Sequence, residues 1–147
     1  MGTSTSSPLV YLTRIESFSA CHRLHSIRLS EEENRELFGK CNNLNGHGHN
    51  YKVEVTVKGV VDRLTGMVMN LTDLKFIIND VLKQLDHKNI DKDVPYFAEK
   101  QLVSSAENIA VFIFEKMSEK LSHCVSLHSI KLYETDKNVV EYRGKFQ

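Results

Sequence analysis

Residues 47–58 read His47-Gly48-His49-Asn50-Tyr51-Lys52-Val53-Glu54-Val55-Thr56-Val57-Lys58, and their alternation decides the fold class. Side chains on a strand point to opposite faces with period two. His47, His49, Tyr51, Val53, Val55 and Val57 therefore share one face, and Asn50, Lys52, Glu54, Thr56 and Lys58 share the other. One apolar and one polar face is the pattern of an antiparallel strand with a wet side. The two histidines stand together at its mouth, preorganised to grip one metal ion. Cys41 comes shortly before them, across the turn-forming residues Asn42-Asn43-Leu44-Asn45-Gly46, and can fold back toward them.

The rest of the chain organises around this strand. Leu9 to about His22, with Val10, Tyr11, Thr13, Ile15 and Phe18, reads as a second strand. Ser30-Glu31-Glu32-Glu33 is a capping box that opens a short helix to about Leu37, and Gly39 ends it. Asp62-Arg63-Leu64-Thr65-Gly66 reads as a hairpin loop into a short strand at Met67–Met69. Leu74, Ile77, Ile78, Val81, Leu82 and Leu85 form one helical stripe, with Asn70 or Thr72 to cap it. Asp86-His87-Lys88-Asn89 closes that helix and starts a loop through Pro95. A second capping box, Ser104 to Glu107, opens a helix with Ile109, Phe112, Ile113 and Met117 inward. Two strands follow, near Val125–Glu134 and Val139–Arg143, with a turn at Asp136-Lys137-Asn138. The order predicts an α+β fold: a four-stranded antiparallel sheet with two helices packed on one face. Residues 9–147 form a single domain in this reading, behind a disordered polar tail, residues 1–8.

Nineteen basic residues balance nineteen acidic ones, so no global field steers the chain to nucleic acid or to an anionic membrane. A site for an anionic substrate has to be local. Cys21, Cys41 and Cys124 are too few and odd in number for a disulfide framework, which points to a reducing, cytoplasmic setting. No run approaches transmembrane length. Met1-Gly2-Thr3-Ser4-Thr5-Ser6 fits a myristoylation pattern, but no polybasic flank reinforces it, and a plain disordered terminus is the preferred reading.

Catalytic zinc takes three protein ligands and leaves a position open. His22 ends the first strand, and antiparallel pairing with residues 47–58 would bring it to His47, so it is the natural third ligand. Histidine pairs also occur in core strands without a metal. His25, His123 and His128 fit less well, as loop or surface residues. Cys41 has two readings: a fourth ligand closing a structural Cys-His₃ site, or a base standing off the metal as thiolate. Cys21 lies on the opposite face from His22, and Cys124 reads as packing. Asp86-His87 is either a carboxylate-polarised proton shuttle or an ordinary histidine at a helix end. Glu134 shares a face with Ile130 and Leu132, and a carboxylate on an apolar face suggests a ligand anchor.

These residues carry a family resemblance. Phe18-Ser19-Ala20-Cys21-His22-Arg23-Leu24, Phe38-Gly39-Lys40-Cys41-Asn42-Asn43, Asn45-Gly46-His47-Gly48-His49-Asn50-Tyr51, Thr65-Gly66-Met67-Val68-Met69-Asn70, Leu85-Asp86-His87-Lys88-Asn89, Asp93-Val94-Pro95-Tyr96-Phe97-Ala98 and Tyr133-Glu134-Thr135-Asp136 occur in order. Over about Arg14 to Gly144 the chain resembles the 6-pyruvoyl-tetrahydropterin synthases, animal type. The resemblance implies a tunnelling fold (T-fold), in which the sheets of three subunits close into a barrel and two trimers stack into a homohexamer with active sites between subunits. It implies a carbon–oxygen lyase of tetrahydrobiopterin biosynthesis that acts on 7,8-dihydroneopterin triphosphate. His22, His47 and His49 would hold zinc, Cys41 would be the base, and Asp86 with His87 the partner relay. Glu134 would clamp the pterin edge and join the relay, and Glu107 with Ser105 would line the pterin pocket. No nicotinamide or flavin is implied, in keeping with the lack of a dinucleotide fingerprint.

The chain departs from the animal pattern at Ser105-Ala106-Glu107-Asn108, where members show Thr-Thr-Glu-Asn, so a hydroxyl is lost at Ala106. The loop Glu99–Val103 also looks slightly long. A related rival, 6-carboxy-tetrahydropterin synthase, generally has three residues between the cysteine and His-Gly-His. Here there are five, Asn42 to Gly46, which favours the pyruvoyl enzyme. A rival of another class is a non-catalytic Cys-His₃ zinc module.

Overall fold

The computed structural model describes residues 7–147. Most of the proposed N-terminal tail, and the whole Met1–Ser6 motif, lie outside the described residues. Pro8 is already tied in, its carbonyl accepting from the Val61 N–H at 3.0 Å.

Four strands form one antiparallel sheet in sequence order: β1 (Leu9–His22), β2 (His47–Val60), β3 (Val125–Tyr133) and β4 (Val139–Tyr142). Helix α1 (Glu31–Phe38) and a 3₁₀ turn (Gly39–Asn42) lie between β1 and β2. Four helices lie between β2 and β3: α2 (Leu71–Leu82), α3 (Ile90–Asp93), α4 (Pro95–Lys100) and α5 (Ala106–Lys120). The expected alternation holds. Tyr51, Val53, Val55 and Val57 are fully buried, under Leu74, Ile78 and Val81 of α2 and Ile109, Phe112, Ile113 and Met117 of α5. This shared burial fixes the register, because a slip by one residue would turn every one of these side chains to water.

β1 and β2 pair along their full length, from Leu9 opposite Val60 to His22 opposite His47. β3 carries a bulge: Ser129 pairs with Thr56 and Leu127 with Val57, so His128 is the extra residue. Among the described residues, the outer edge of β1 is covered only near its C-terminal end. There the His87 N–H donates to the Ser19 carbonyl (2.6 Å) and the Cys21 N–H to the Lys88 carbonyl (3.0 Å). Leu9, Val10, Tyr11 and Ile15 remain exposed along the same strand.

Three local expectations need correction. Met67–Met69 is not a strand: Asp62 Oδ1 accepts from the N–H groups of Leu64 (2.7 Å) and Thr65 (2.9 Å), and the chain then runs straight to the Asn70 cap of α2. The segment expected as a loop through Pro95 contains α3, capped by Asn89, and α4, with Pro95 in its first turn. Such short helices are too brief to show a periodic stripe. The cap of α5 is Ser105, whose hydroxyl accepts from the Asn108 N–H, and not Ser104, which is wholly buried.

Candidate metal centre and its surroundings

The pairing of β1 with β2 builds the centre. His22 stands directly opposite His47, and Ala20 opposite His49. The three imidazoles form a triangle, with ring centroids 4.7 Å apart for His22–His47, 5.2 Å for His22–His49 and 4.9 Å for His47–His49. One ligand nitrogen from each ring lies within 4.8 Å of the other two. His22 Nε2, His47 Nδ1 and His49 Nε2 are buried and have no hydrogen-bond partner. A buried, unpaired polar atom costs about 1–3 kcal/mol. Three converging ones are the signature of a site built for a cation that accepts their lone pairs.

The protonation state suits that role. Burial lowers the pKa of His47 first, and the neighbouring rings of His22 and His49 lower it further. His49 is likewise lowered, chiefly by burial and against the pull of Glu134. Both rings are thereby held neutral at physiological pH, the form that binds a metal. The tautomer of His22 is fixed from behind. Its Nδ1 lies 2.6 Å from the Ser104 carbonyl, which can only accept, so Nδ1 carries the hydrogen and Nε2 the free lone pair. Ser104 was missed from sequence as a functional residue, because a backbone carbonyl leaves no signature there.

Cys41 lies in the 3₁₀ turn, half-buried, and does not belong to the ligand cluster. Its carbonyl accepts from the Leu24 N–H at 2.9 Å, tying the turn to the chain leaving His22. Glu134 follows β3 and is fixed by its N–H bond to the Asn138 carbonyl (3.0 Å). Its carboxylate comes within 3.7 Å of His49 Nε2 and 3.9 Å of His22 Nε2. That is too far for hydrogen bonds and close enough to bias the charge at the centre. Buried beside the centre, Tyr51 has an unpartnered hydroxyl, and burial followed by the charges of Glu134 and Asp91 raises its pKa.

Asp86 and His87 are brought into contact, with His87 Nδ1 2.9 Å from Asp86 Oδ2. Asp86 Oδ1 also accepts from the Ser19 N–H at 2.9 Å, the main reason its pKa falls. His87 takes a positive φ of 61° and projects into solvent. It shares with His49, Cys21 and Asn50 an open cavity of about 380 Å³. Ser105 is occupied as a helix cap, and Glu107 stands exposed in the first turn of α5. Ala106 is buried, so its missing hydroxyl faces protein.

Together these features define a tunnelling-fold protein with a three-histidine metal grip at the end of its first strand pair. The family model described as 6-pyruvoyl tetrahydropterin synthase matches residues 11–145. The 6-pyruvoyl tetrahydrobiopterin synthase of Poecilia reticulata is 59% identical, covering 98% of this chain and 97% of its own length. The human synthase is 57% identical over 91% of both chains. The solved 6-pyruvoyl tetrahydropterin synthase of Caenorhabditis elegans superposes with a TM-score of 0.91 at 48% identity, over 96% of this chain and 99% of its own. The chain belongs to the 6-pyruvoyl tetrahydropterin synthase family. A putative 6-carboxy-5,6,7,8-tetrahydropterin synthase of Archaeoglobus fulgidus is only 31% identical, over 86% of the chain.

Proposed function

We propose that this protein is a zinc-dependent lyase that converts 7,8-dihydroneopterin triphosphate to 6-pyruvoyl-tetrahydropterin and inorganic triphosphate, in tetrahydrobiopterin biosynthesis. The observation that carries it is the triangle of orphaned histidine nitrogens, in a chain 59% identical to a synthase over nearly its whole length. His22, His47 and His49 would hold zinc, which when bound supplies a Lewis acid that acidifies protons on carbons beside a hydroxyl or carbonyl.

The chain's own groups then move protons. Cys41, on the turn bonded to Leu24 and not in the ligand cluster, is the base toward the substrate's side chain. Asp86 holds the Nδ1–H of His87 and leaves Nε2 free to exchange a proton with an incoming ligand. Glu134 accepts from the N–H groups at the pterin edge, and Glu107 with Ser105 helps line the pterin pocket. The net reaction shifts electrons within the substrate, so no nicotinamide or flavin enters.

Assembly as a homohexamer of two stacked trimers, with sheets closed into barrels and sites between subunits, is supported by the long open edge of β1 and its exposed Leu9, Val10, Tyr11 and Ile15. The free thiols of Cys21, Cys41 and Cys124 suit a cytoplasmic location, and among the described residues no helix is long and apolar enough to cross a membrane. A single domain over residues 9–147 accords with one continuous core.

Zinc-loaded protein given 7,8-dihydroneopterin triphosphate should release one equivalent of triphosphate and form the dicarbonyl product. Absence of triphosphate release would overturn the assignment. Glu134→Ala should raise KM on the order of tenfold or more, since a charge-assisted contact is lost. An unchanged KM would remove Glu134 from the pterin site.

A further inference from the structure

A chain of zero net charge must recognise a triphosphate through a local cluster of cations. One such cluster is built from residues next in the chain to the metal centre. Arg23 directly follows His22, Arg35 lies in the last turn of α1, and Lys40 is in the 3₁₀ turn. All three line one cavity of about 510 Å³, together with Asn42, Asn43 and a single carboxylate, Glu31.

Their charges are not spent elsewhere. The Arg23 guanidinium is fixed by neutral oxygens: Nε donates to the Asn42 carbonyl at 2.8 Å, with Nη2 3.4 Å from Asn42 Oδ1. Its backbone N–H donates to Asp91 Oδ2 at 2.7 Å, which holds the residue in place without pairing its cation. Neither Arg35 nor Lys40 has an ion-pair partner among the described residues. Three unpaired cations facing one carboxylate leave a cavity of net positive charge.

Its placement is tied to the chemistry. Lys40 and Asn42 flank Cys41, and the Cys41 carbonyl is bonded to Leu24, two residues after His22. Gly46, just before His47, packs under the His22 backbone; a Cβ there would sit 2.9 Å from the His22 carbonyl oxygen. The loops that carry the base and the ligands therefore also form the cavity wall. In the proposed substrate the triphosphate hangs from the end of the side chain that the centre acts on. We infer that the Arg23–Arg35–Lys40 cavity is the subsite for that triphosphate, an inference that rests on the proposed substrate. Arginine gives phosphate oxygens a planar fork of donors, and lysine adds a mobile point charge.

Arg35→Gln and Lys40→Gln, singly and together, test this in the zinc-loaded full chain. Arg23 is left intact because it also braces the turn. Each change should raise KM for the triphosphate substrate roughly tenfold, the size of one lost charge-assisted contact. Competitive inhibition by inorganic triphosphate should weaken in parallel, and affinity for dephosphorylated 7,8-dihydroneopterin should stay unchanged. The subsite is overturned if KM and the inhibition constant are unmoved in the double variant. It is overturned equally if dephosphorylated ligand weakens as much as substrate, or if only free triphosphate weakens while KM holds. Should the unaltered protein release no triphosphate from substrate, the proposed reaction falls. Direct calorimetric titration with inorganic triphosphate would still decide the cavity.

Discussion

His49→Ala should lose its metal and, with it, turnover. His49 is the ligand to remove because its side chain is partly exposed, whereas His22 is fully buried and bonded to Ser104. Truncating His49 leaves the strand pairing of Ala20 with residue 49 intact, since that pairing is made by backbone. Two imidazoles would remain where catalytic zinc needs three protein ligands. Lewis-acid assistance is worth several kcal/mol of barrier, so turnover should fall on the order of a thousandfold or more. Metal content by elemental analysis should drop well below one equivalent per chain while the circular dichroism spectrum stays native. His123→Ala, at an exposed histidine outside the cluster, is the control and should keep both metal and activity. Full metal retention in His49→Ala would refute the three-histidine centre.

The sheet and the histidine cluster were legible because both depend on short-range rules. Strict alternation over residues 47–58 put the two histidines on the face of Tyr51 and Val53, and the same rule, applied to a second strand ending at His22, closed the triangle. Legibility failed where a long-range partner decides. Ser104 and Ser105 are equally good caps from sequence; the His22 ring claims the Ser104 carbonyl, and the cap moves one residue on. Met67–Met69 has strand composition, but the Asp62 side chain captures the preceding N–H groups and turns the chain toward α2. The bond between Asp86 and His87 likewise depends on β1, since Ser19 holds both residues by their backbone and carboxylate contacts.

This dependence on β1 bears on how the centre operates. One strand carries His22 at its end, the anchor for the Asp86–His87 pair on its edge, and the exposed residues Leu9, Val10, Tyr11 and Ile15. A shift of β1 would therefore move His22 and the Asp86–His87 pair together.

Cys41→Ala should behave in the opposite way to His49→Ala, keeping zinc and losing turnover. The prediction separates the two roles this cysteine could play. A fourth ligand would have to stand with the three histidine nitrogens, and Cys41 does not belong to that cluster. The turn that carries it is held by its own backbone, through the Leu24 to Cys41 bond and the Asn43 to Lys40 bond, so removing the thiol leaves its scaffold standing. A positioned general base is worth roughly a hundredfold to ten-thousandfold in rate. The variant should therefore show native metal content, an almost unchanged KM and a kcat reduced by that range. Cys41→Ser should recover little, because a hydroxyl is a far weaker acid than a thiol and does not supply an anion near neutral pH. If instead Cys41→Ala emptied the site of zinc, the cysteine would be a ligand and the centre a closed, structural one. Its proton-removing role would then have to pass to the Asp86–His87 pair, already in contact at the β1 edge.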